Sequence, residues 1–539
     1  ARNYHTPLAA DIHFSPKAAE VAAKYVEKIR INPGNYAEKN KKLDYTDEEY
    51  EQALVLTAEK LQPLLKLAKK HKRIIRIGVN HGSLSSRIMS RYGNTAEGMV
   101  ESAMEFIRIF EKADFFDIVL SLKSSHVLTM VHSNRLMVAR MLERGRIYPL
   151  HLGVTEAGND IEGRQKSIAG IATLLQDGIG DTLRVSLTEA PENEIPWAIA
   201  LRESFSLSIP KESISEKKIW FDPFHFHKRS SQQIKNIGGS NPPLVFLSNT
   251  ANEKEQHLDS ERRVLNDQAD YHFLNTTEAN SKSAGKKFMV YYKQWNKEQS
   301  DVFPLLNKNE LENVKMDLNQ MFFVRLSSSE LAKKEVCEKL RRYPMSVLIL
   351  SSDSNYPVPE WRSAFYTLHA HHIEIPVILH RKFRSKSLDD LLLESSRTFS
   401  ILLLDGLGDG IWMETEGNIF ERDLARLSFG ILQSCRLRMT HTDYIACPSC
   451  GRTLFNIEER LAEIREKTNF LKHLKIAVMG CIVNGLGEMA DADYGYVGSS
   501  HGKVNLYKGK QLMQKNVNEE DACDALVHLI KEEGDWLPS

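Results

Sequence analysis

The chain reads as three α/β units in series. The first is a TIM-type barrel, incomplete at its N-terminus. The second is a degenerate, barrel-like α/β middle domain. The third is a C-terminal α+β domain equipped to hold a metal centre. Three observations carry this reading. Short apolar strands alternate with helical stretches over the first part of the chain. The turn Asp177-Gly178-Ile179-Gly180-Asp181 returns later as Asp405-Gly406-Leu407-Gly408-Asp409. Near the end stand Cys447-Pro448-Ser449-Cys450, then Cys481, then Asn484-Gly485-Leu486-Gly487-Glu488. The expected boundaries are 1–210, 211–435 and 436–539, in keeping with about three domains for a chain of 539 residues.

In the first domain the expected strands are Pro7–Phe14, Lys28–Asn32, Ile74–Asn80, Asp117–Lys123, Pro149–Glu156 and Thr182–Thr188. Each is short and apolar, as strands covered on both faces are. Helical segments such as Ala18–Glu27, Tyr50–His71 and Gly98–Phe110 separate them, and alternation at this pitch implies a parallel sheet. Polar residues collect at the far ends: His13, Arg30 with Asn32, Arg76 with Asn80, Ser121 with Lys123, Thr155 with Glu156, and Arg184 with Ser186. In a TIM barrel those ends form the ligand-binding face. Arginine and lysine converging there would cradle an anion, arginine by bidentate contacts to phosphate.

The middle domain begins with loop-like sequence around Ile237–Pro243 and a long polar excursion at Asn252–Lys287. Strands are expected at Met321–Leu326, Ser346–Ser352, Pro376–His380 and Ile401–Leu404. Both copies of the Asp-Gly-x-Gly-Asp turn follow a proline-led apolar strand, at Pro149 and Pro376, by nearly the same interval. This echo implies a second barrel. The Arg184 and Ser186 that follow the first copy are replaced after the second by Gly410-Ile411-Trp412-Met413, so phosphate binding is expected to be lost there.

In the C-terminal domain, a CxxC pair can bind one metal centre. Leu454, Ile457, Leu461 and Ile464 recur at helical spacing, and the strand Leu474–Gly480 delivers Cys481 at its end. Three thiolates suit zinc or an iron–sulfur cluster, and Glu488 is the nearby oxygen ligand. Three unpaired structural cysteines are the plainer alternative. Tyr494–Val517 reads as short strands ahead of a helix in which Cys523, Leu526 and Ile530 share one face, making Cys523 a core residue.

Composition narrows the function classes. Lysine plus arginine and aspartate plus glutamate both number 71, which argues against a general nucleic-acid or membrane-surface protein. Six cysteines in so long a chain form no disulfide framework. No apolar run approaches a membrane span and no signal peptide is visible. The chain opens at Ala1 almost directly in a strand, which suggests N-terminal truncation.

The runs YIACPSCGRTLFNIEER and IAVMGCIVNGLGEMADADYGYVG resemble the cluster domain of the 4-hydroxy-3-methylbut-2-enyl diphosphate synthase family, of the non-mevalonate isoprenoid pathway. LAADIHF, IRINPGN, RIGVNHGSL, HLGVTEAG and GDTLRVSLT resemble successive strand ends of that family's barrel. The three-part layout resembles the family's large form, whose middle domain is thought structural. The resemblance implies a 4Fe–4S cluster on Cys447, Cys450, Cys481 and Glu488. It implies a diphosphate pocket of Arg76, Asn80, Lys123, Arg184 and Ser186, with Arg30 at its edge. It implies Thr155 and Glu156 facing the substrate's hydroxyl region. Leu486 stands where the family usually has proline, which changes a turn and not a ligand. The family's barrel has two strands before the first one here, and their substrate-binding arginine is absent.

The implied activity is reductive ring opening of 2-C-methyl-D-erythritol 2,4-cyclodiphosphate and removal of a hydroxyl with two electrons. Glu156 would move the proton and the weak carboxylate ligand Glu488 would free one iron corner. A ferredoxin or flavodoxin is the implied donor, a homodimer is open, and a bacterial cytoplasm, or else a plastid, is the expected compartment. The alternative is a non-catalytic phosphometabolite-binding protein with a structural zinc domain.

Overall fold

The computed structural model describes the whole chain except residues 1–4, 38–41, 43, 207–220, 249–267, 276–285, 418, 449–451, 483, 484, 486, 488, 490, 538 and 539. It divides into two compact units, one of Ala1–Phe205 with His441–Ser539, the other of Ser206–Thr440.

The N-terminal part of the first unit contains six parallel strands, β1 (Ala9–Ile12), β2 (Lys28–Ile31), β3 (Ile74–Asn80), β4 (Ile118–Lys123), β5 (His151–Leu152) and β6 (Thr182–Leu183). β1 to β4 pair in chain order, β5 pairs with β6, and a parallel bridge from Leu120 to Leu150 joins the two sets. Strand alternation splits each strand between two faces. Ile29 and Ile31, Ile75 and Ile77, and Leu120 and Leu122 are buried. The residues alternating with them, Arg30, Arg76, Ser121 and Lys123, line a cavity at the strands' C-terminal ends. The longest helix, Asp47–His71, starts in a Thr46–Glu49 capping box and stops at Lys72, whose φ of 53° satisfies the left-handed C-cap geometry.

The second unit holds a closed barrel of eight parallel strands: β7 (Leu244–Ser248), β8 (Tyr271–Leu274), β9 (Phe288–Tyr291), β10 (Val302–Leu306), β11 (Phe322–Ser327), β12 (Ser346–Ser351), β13 (Val377–Phe383) and β14 (Gly410–Thr415), with β14 pairing back to β7. Aromatic rings fill it. Phe246 stacks on Tyr271 at 4.8 Å between centroids, and Phe323 meets both edge-on. Two expectations are corrected here. Ile401–Leu404 is not a strand but the last turn of the helix Leu388–Leu404. A short wholly apolar run has no period by which strand and buried helix can be separated, and these residues are buried on all sides. The polar stretch Asn252–Lys287 contains β8; residues 252–267 and 276–285 lie outside the described residues.

The repeated turn has the same structure in both barrels. Leu150 N–H donates to Asp181 Oδ2 at 2.8 Å, and Val377 N–H to Asp409 Oδ2 at 3.0 Å. The first aspartate of each copy takes an arginine, Arg135 on Asp177 and Arg362 on Asp405. The four glycines of the two copies all have positive φ, between 75° and 119°, which an L side chain adopts at a cost. The echo in the sequence is therefore an echo in hydrogen bonding.

The C-terminal part of the first unit is a five-stranded sheet in chain order: β15 (Asp443–Ala446), β16 (Lys475–Met479), β17 (Tyr494–Ser500), β18 (Lys503–Lys508) and β19 (Gln511–Asn518). The first three are parallel and the last two antiparallel. Ile457, Leu461 and Ile464 from one helix and Cys523, Leu526 and Ile530 from another close its core. Among the described residues no helix is long and apolar enough to cross a membrane.

Candidate active site

Within the first unit the barrel mouth and the C-terminal domain enclose one cavity of about 180 Å³. Every substrate-pocket residue expected from the sequence lines it: Arg30, Arg76, Asn80, Lys123, Thr155, Glu156, Arg184 and Ser186. Facing them across the same cavity are Cys447, Pro448, Arg452, Met479, Cys481 and Gly485. Cys450 and Glu488, the other expected cluster ligands, lie outside the described residues.

The cysteines meet because of strand pairing. β15 and β16 are parallel neighbours with Ala446 opposite Val478, and each releases its cysteine just past its C-terminal end. Cys447 Sγ accepts a hydrogen bond from Gly480 N–H at 3.2 Å, a contact that favours thiolate over thiol. Both thiols are partly exposed towards the cavity and unbridged. Such a pair suits a cluster held at the cavity wall, since thiolates are the ligands iron–sulfur centres take and backbone N–H groups aimed at sulfur stabilise their charge.

The barrel side is a cluster of cations. Arg30, expected at the pocket's edge, is only 5% exposed and lines the cavity. Its Nη1 donates to Asp11 Oδ1 at 2.8 Å and to His13 Nε2 at 2.6 Å; its Nη2 donates to Gly78 O at 2.9 Å and Asn80 Oδ1 at 3.2 Å. Burial opposes ionisation of Asp11, but the His13 hydrogen bond and the Arg30 charge outweigh it and hold the carboxyl well below its usual range. Burial and the Arg30 charge push His13 down, against the hydrogen bond and charge of Asp11, which pull it up. Arg76 falls to about 10 through burial and the neighbouring Arg30 and Arg184. Burial, then the charges of Arg76, Arg184 and Arg30, hold Lys123 well below its ordinary value. Beneath them His151 is pressed to about 2 by burial and by Lys123, Arg76, Lys28 and Arg184. Cations that depress one another in this way gain most when a multivalent anion arrives.

Glu156 is buried and has φ of 48°, a left-handed conformation unusual for glutamate and typical of side chains held at functional sites. Asp11 and Arg452 were not singled out from the sequence. For Asp11 the signal was there, since it lies two residues before His13 on the same strand face. Arg452 sits two residues past Cys450 in an irregular segment, where periodicity says nothing. Asn32, a polar strand end in the sequence, serves the fold: it caps the helix Pro33–Tyr36 and donates to Ser83 Oγ at 2.9 Å.

The two parts of the unit are joined by buried polar contacts. Lys166 Nζ, on the barrel helix Asp160–Gln176, donates to Asp443 Oδ1 at 2.7 Å and to Tyr444 O at 3.1 Å, and lies 3.3 Å from Glu162 Oε1. Glu162 also pairs with Arg465. Thr188 Oγ1 donates to Ala446 O at 3.0 Å, one residue before Cys447. Near Cys481, His81 Nδ1 is 3.3 Å from Asp491 Oδ2. A Cβ on Gly487 would come within 2.4 Å of Gly82 O, so only glycine allows this approach.

Comparison with known proteins identifies the family. Residues 1–199 match the model of the GcpE TIM-barrel domain, and residues 443–532 that of the GcpE protein C-terminal domain. The chain is 45% identical over 541 residues to the 4-hydroxy-3-methylbut-2-en-1-yl diphosphate synthase (flavodoxin) of Parabacteroides distasonis, covering 99% of this chain and 87% of that one. It is 42% identical over 548 residues to the same-named protein of Phocaeicola vulgatus, covering 99% and 87%. It is 38% identical over 584 residues to the 4-hydroxy-3-methylbut-2-en-1-yl diphosphate synthase (ferredoxin), chloroplastic, of Oryza sativa subsp. japonica, covering 99% and 78%. With a cation-lined barrel mouth closed by a cysteine-bearing domain, and with relatives this similar along its whole length, the chain belongs to the GcpE family of 4-hydroxy-3-methylbut-2-en-1-yl diphosphate synthases.

Proposed function

We propose that this protein converts 2-C-methyl-D-erythritol 2,4-cyclodiphosphate to 4-hydroxy-3-methylbut-2-enyl diphosphate, opening the cyclic diphosphate and releasing one hydroxyl as water at the expense of two electrons. The observation that carries the reading is the single cavity shared by Arg30, Arg76, Lys123 and Arg184 on one side and Cys447 and Cys481 on the other. The cations hold the diphosphate, with Asn80 and Ser186 completing its hydrogen bonds. Thr155 and Glu156 orient the hydroxyl region, and Glu156 delivers the proton with which the hydroxyl departs. The small cavity keeps water from the reacting carbons.

A 4Fe–4S cluster held by Cys447, Cys450, Cys481 and Glu488 would supply the electrons one at a time. The relatives' names point to flavodoxin or ferredoxin as the class of donor. They lend nothing to the alternative of a non-catalytic binding protein with structural zinc. A bacterial cytoplasm and a possible homodimer belong to the same reading.

The test is anaerobic turnover of the cyclic diphosphate by the iron-loaded protein with reduced flavodoxin, product identified by mass spectrometry. Arg184→Ala should lower kcat/KM by about 10- to 100-fold, the loss expected for one charged hydrogen bond. Absence of product from protein with a full iron complement and a working donor would overturn the proposal.

A further inference from the structure

Two glycines of the barrel, Gly78 and Gly153, are not in conformations that require glycine: neither lies in the left-handed region. Each instead lies beneath a cation from the preceding strand. A Cβ on Gly78 would stand 2.2 Å from Arg30 Nε, 2.9 Å from its Cγ and 3.0 Å from its Cδ. A Cβ on Gly153 would stand 3.1 Å from Lys123 Nζ, 3.2 Å from its Cε and 2.9 Å from Arg184 O. Arg30 on β2 thus leans across β3, and Lys123 on β4 leans across β5, in the same sense around the barrel.

The second barrel shows what happens where the cations are missing. Leu150 and Val377 are equivalent, as the N–H partners of Asp181 and Asp409. They pair with Leu120 and Leu348. Three residues further on, Lys123 and Gly153 correspond to Ser351 and His380, which pair directly. One strand back, Asn80 pairs with Lys123 and Ser327 with Ser351, so Gly78 corresponds to Arg325. Arg30 pairs with Arg76, and Leu305 with Phe323, so Arg30 corresponds to Leu305. Both cations are gone, and both glycines with them. The His380 ring now fills the space, its Nδ1 2.7 Å from Ser351 Oγ.

We infer that Gly78 and Gly153 are positioning residues for the anion pocket: their missing side chains are the lanes along which Arg30 and Lys123 enter the cavity wall. This rests on the proposed function for the identity of the anion, but not for its test. Alanine at Gly78 pushes Arg30 off its lane; alanine at Gly153 displaces Lys123 by a few tenths of an ångström and also presses on the Arg184 carbonyl. The fault should therefore appear in anion binding.

The experiment is a pair of double-mutant cycles on the full chain, Gly153→Ala with Lys123→Met and Gly78→Ala with Arg30→Met. Affinity for inorganic pyrophosphate is read by calorimetry and KM for the cyclic diphosphate by turnover. Each alanine alone should weaken pyrophosphate about tenfold and raise KM more than it lowers kcat. In the methionine background Gly78→Ala should cost less than about twofold, since its victim is already gone, and Gly153→Ala should cost at least about threefold less than in the parent, the remainder being its contact with the Arg184 carbonyl. Equal losses in both backgrounds, or none in the parent, overturn the inference. Failure of the alanine variants to fold in both backgrounds also overturns it, because the glycines would then serve the fold alone. If only one pair folds, that pair decides. A parent protein that binds pyrophosphate but does not reduce the cyclic diphosphate would sink the proposed function and leave this inference intact.

Discussion

Replacing Lys166 by methionine tests how the site is held shut. Lys166 is 6% exposed and Asp443 1% exposed, and the ammonium meets the Asp443 carboxylate, the Tyr444 carbonyl and Glu162. Methionine fills the same space without charge or donors. Glu162 keeps Arg465, but Asp443 loses its buried counter-ion and Tyr444 O its donor. Removing one partner of such a buried pair costs about 3–5 kcal/mol. The loss falls on β15, whose first residue is Asp443 and whose last precedes Cys447, so the cysteine's support loosens with it. Urea unfolding followed by hydrogen exchange on residues 443–447 reads the cost, and anaerobic iron content reads the consequence. Lys166→Met with Asp443→Leu should regain most of the stability, because no carboxylate is then left buried without a cation, Glu162 keeping Arg465. A single-variant cost below about 1 kcal/mol, or a double variant no better than the single, would refute the account of a dry ion pair.

Other outcomes follow from the same geometry. Cys447→Ser and Cys481→Ser should each lose iron and visible absorbance together with activity, while leaving the second unit's stability unchanged; a serine variant that keeps its full iron complement contradicts the shared site. In the second barrel, Glu414 is held at about 2: burial opposes ionisation, but hydrogen bonds from His380 and Ser248 prevail. A carboxyl depressed from its ordinary value stabilises fully above about pH 4.5, and the benefit fades as pH falls towards 2. Glu414→Gln should therefore destabilise the second unit by about 1–3 kcal/mol at pH 7 and by little near pH 2; an equal penalty at both pH values would show that the charge is not the cause.

The pocket was legible in the sequence because barrel strands are short and end alike. Lys123 and Arg184 each close an apolar run, Arg76 interrupts one, and parallel pairing brings such residues to one place without further information. The cysteines were legible for the same reason, as residues just past two strands. What escaped was whatever depends on one side chain leaning on another. Arg30 looks like a strand end among several, and only its four hydrogen bonds set it apart. Lys166 and Asp443 are 277 positions apart, each a lone charge in an ordinary setting. The second barrel's closure escaped because its early strands are brief and separated by long polar stretches, and the run at Ile401–Leu404 matches helix and strand equally well.

The duplicated Asp-Gly-x-Gly-Asp turn has a practical consequence. One piece of architecture occurs twice in a single polypeptide, once under the cation-lined cavity and once under an aromatic plug. Asp181 and Asp409 hold their strands by the same bond, so a substitution at one can be repeated at the other in the same molecule. The copy under the plug then reports what the change does to a barrel as a barrel. Whatever the copy under the pocket loses beyond that belongs to catalysis, so the chain supplies its own reference for separating folding from function.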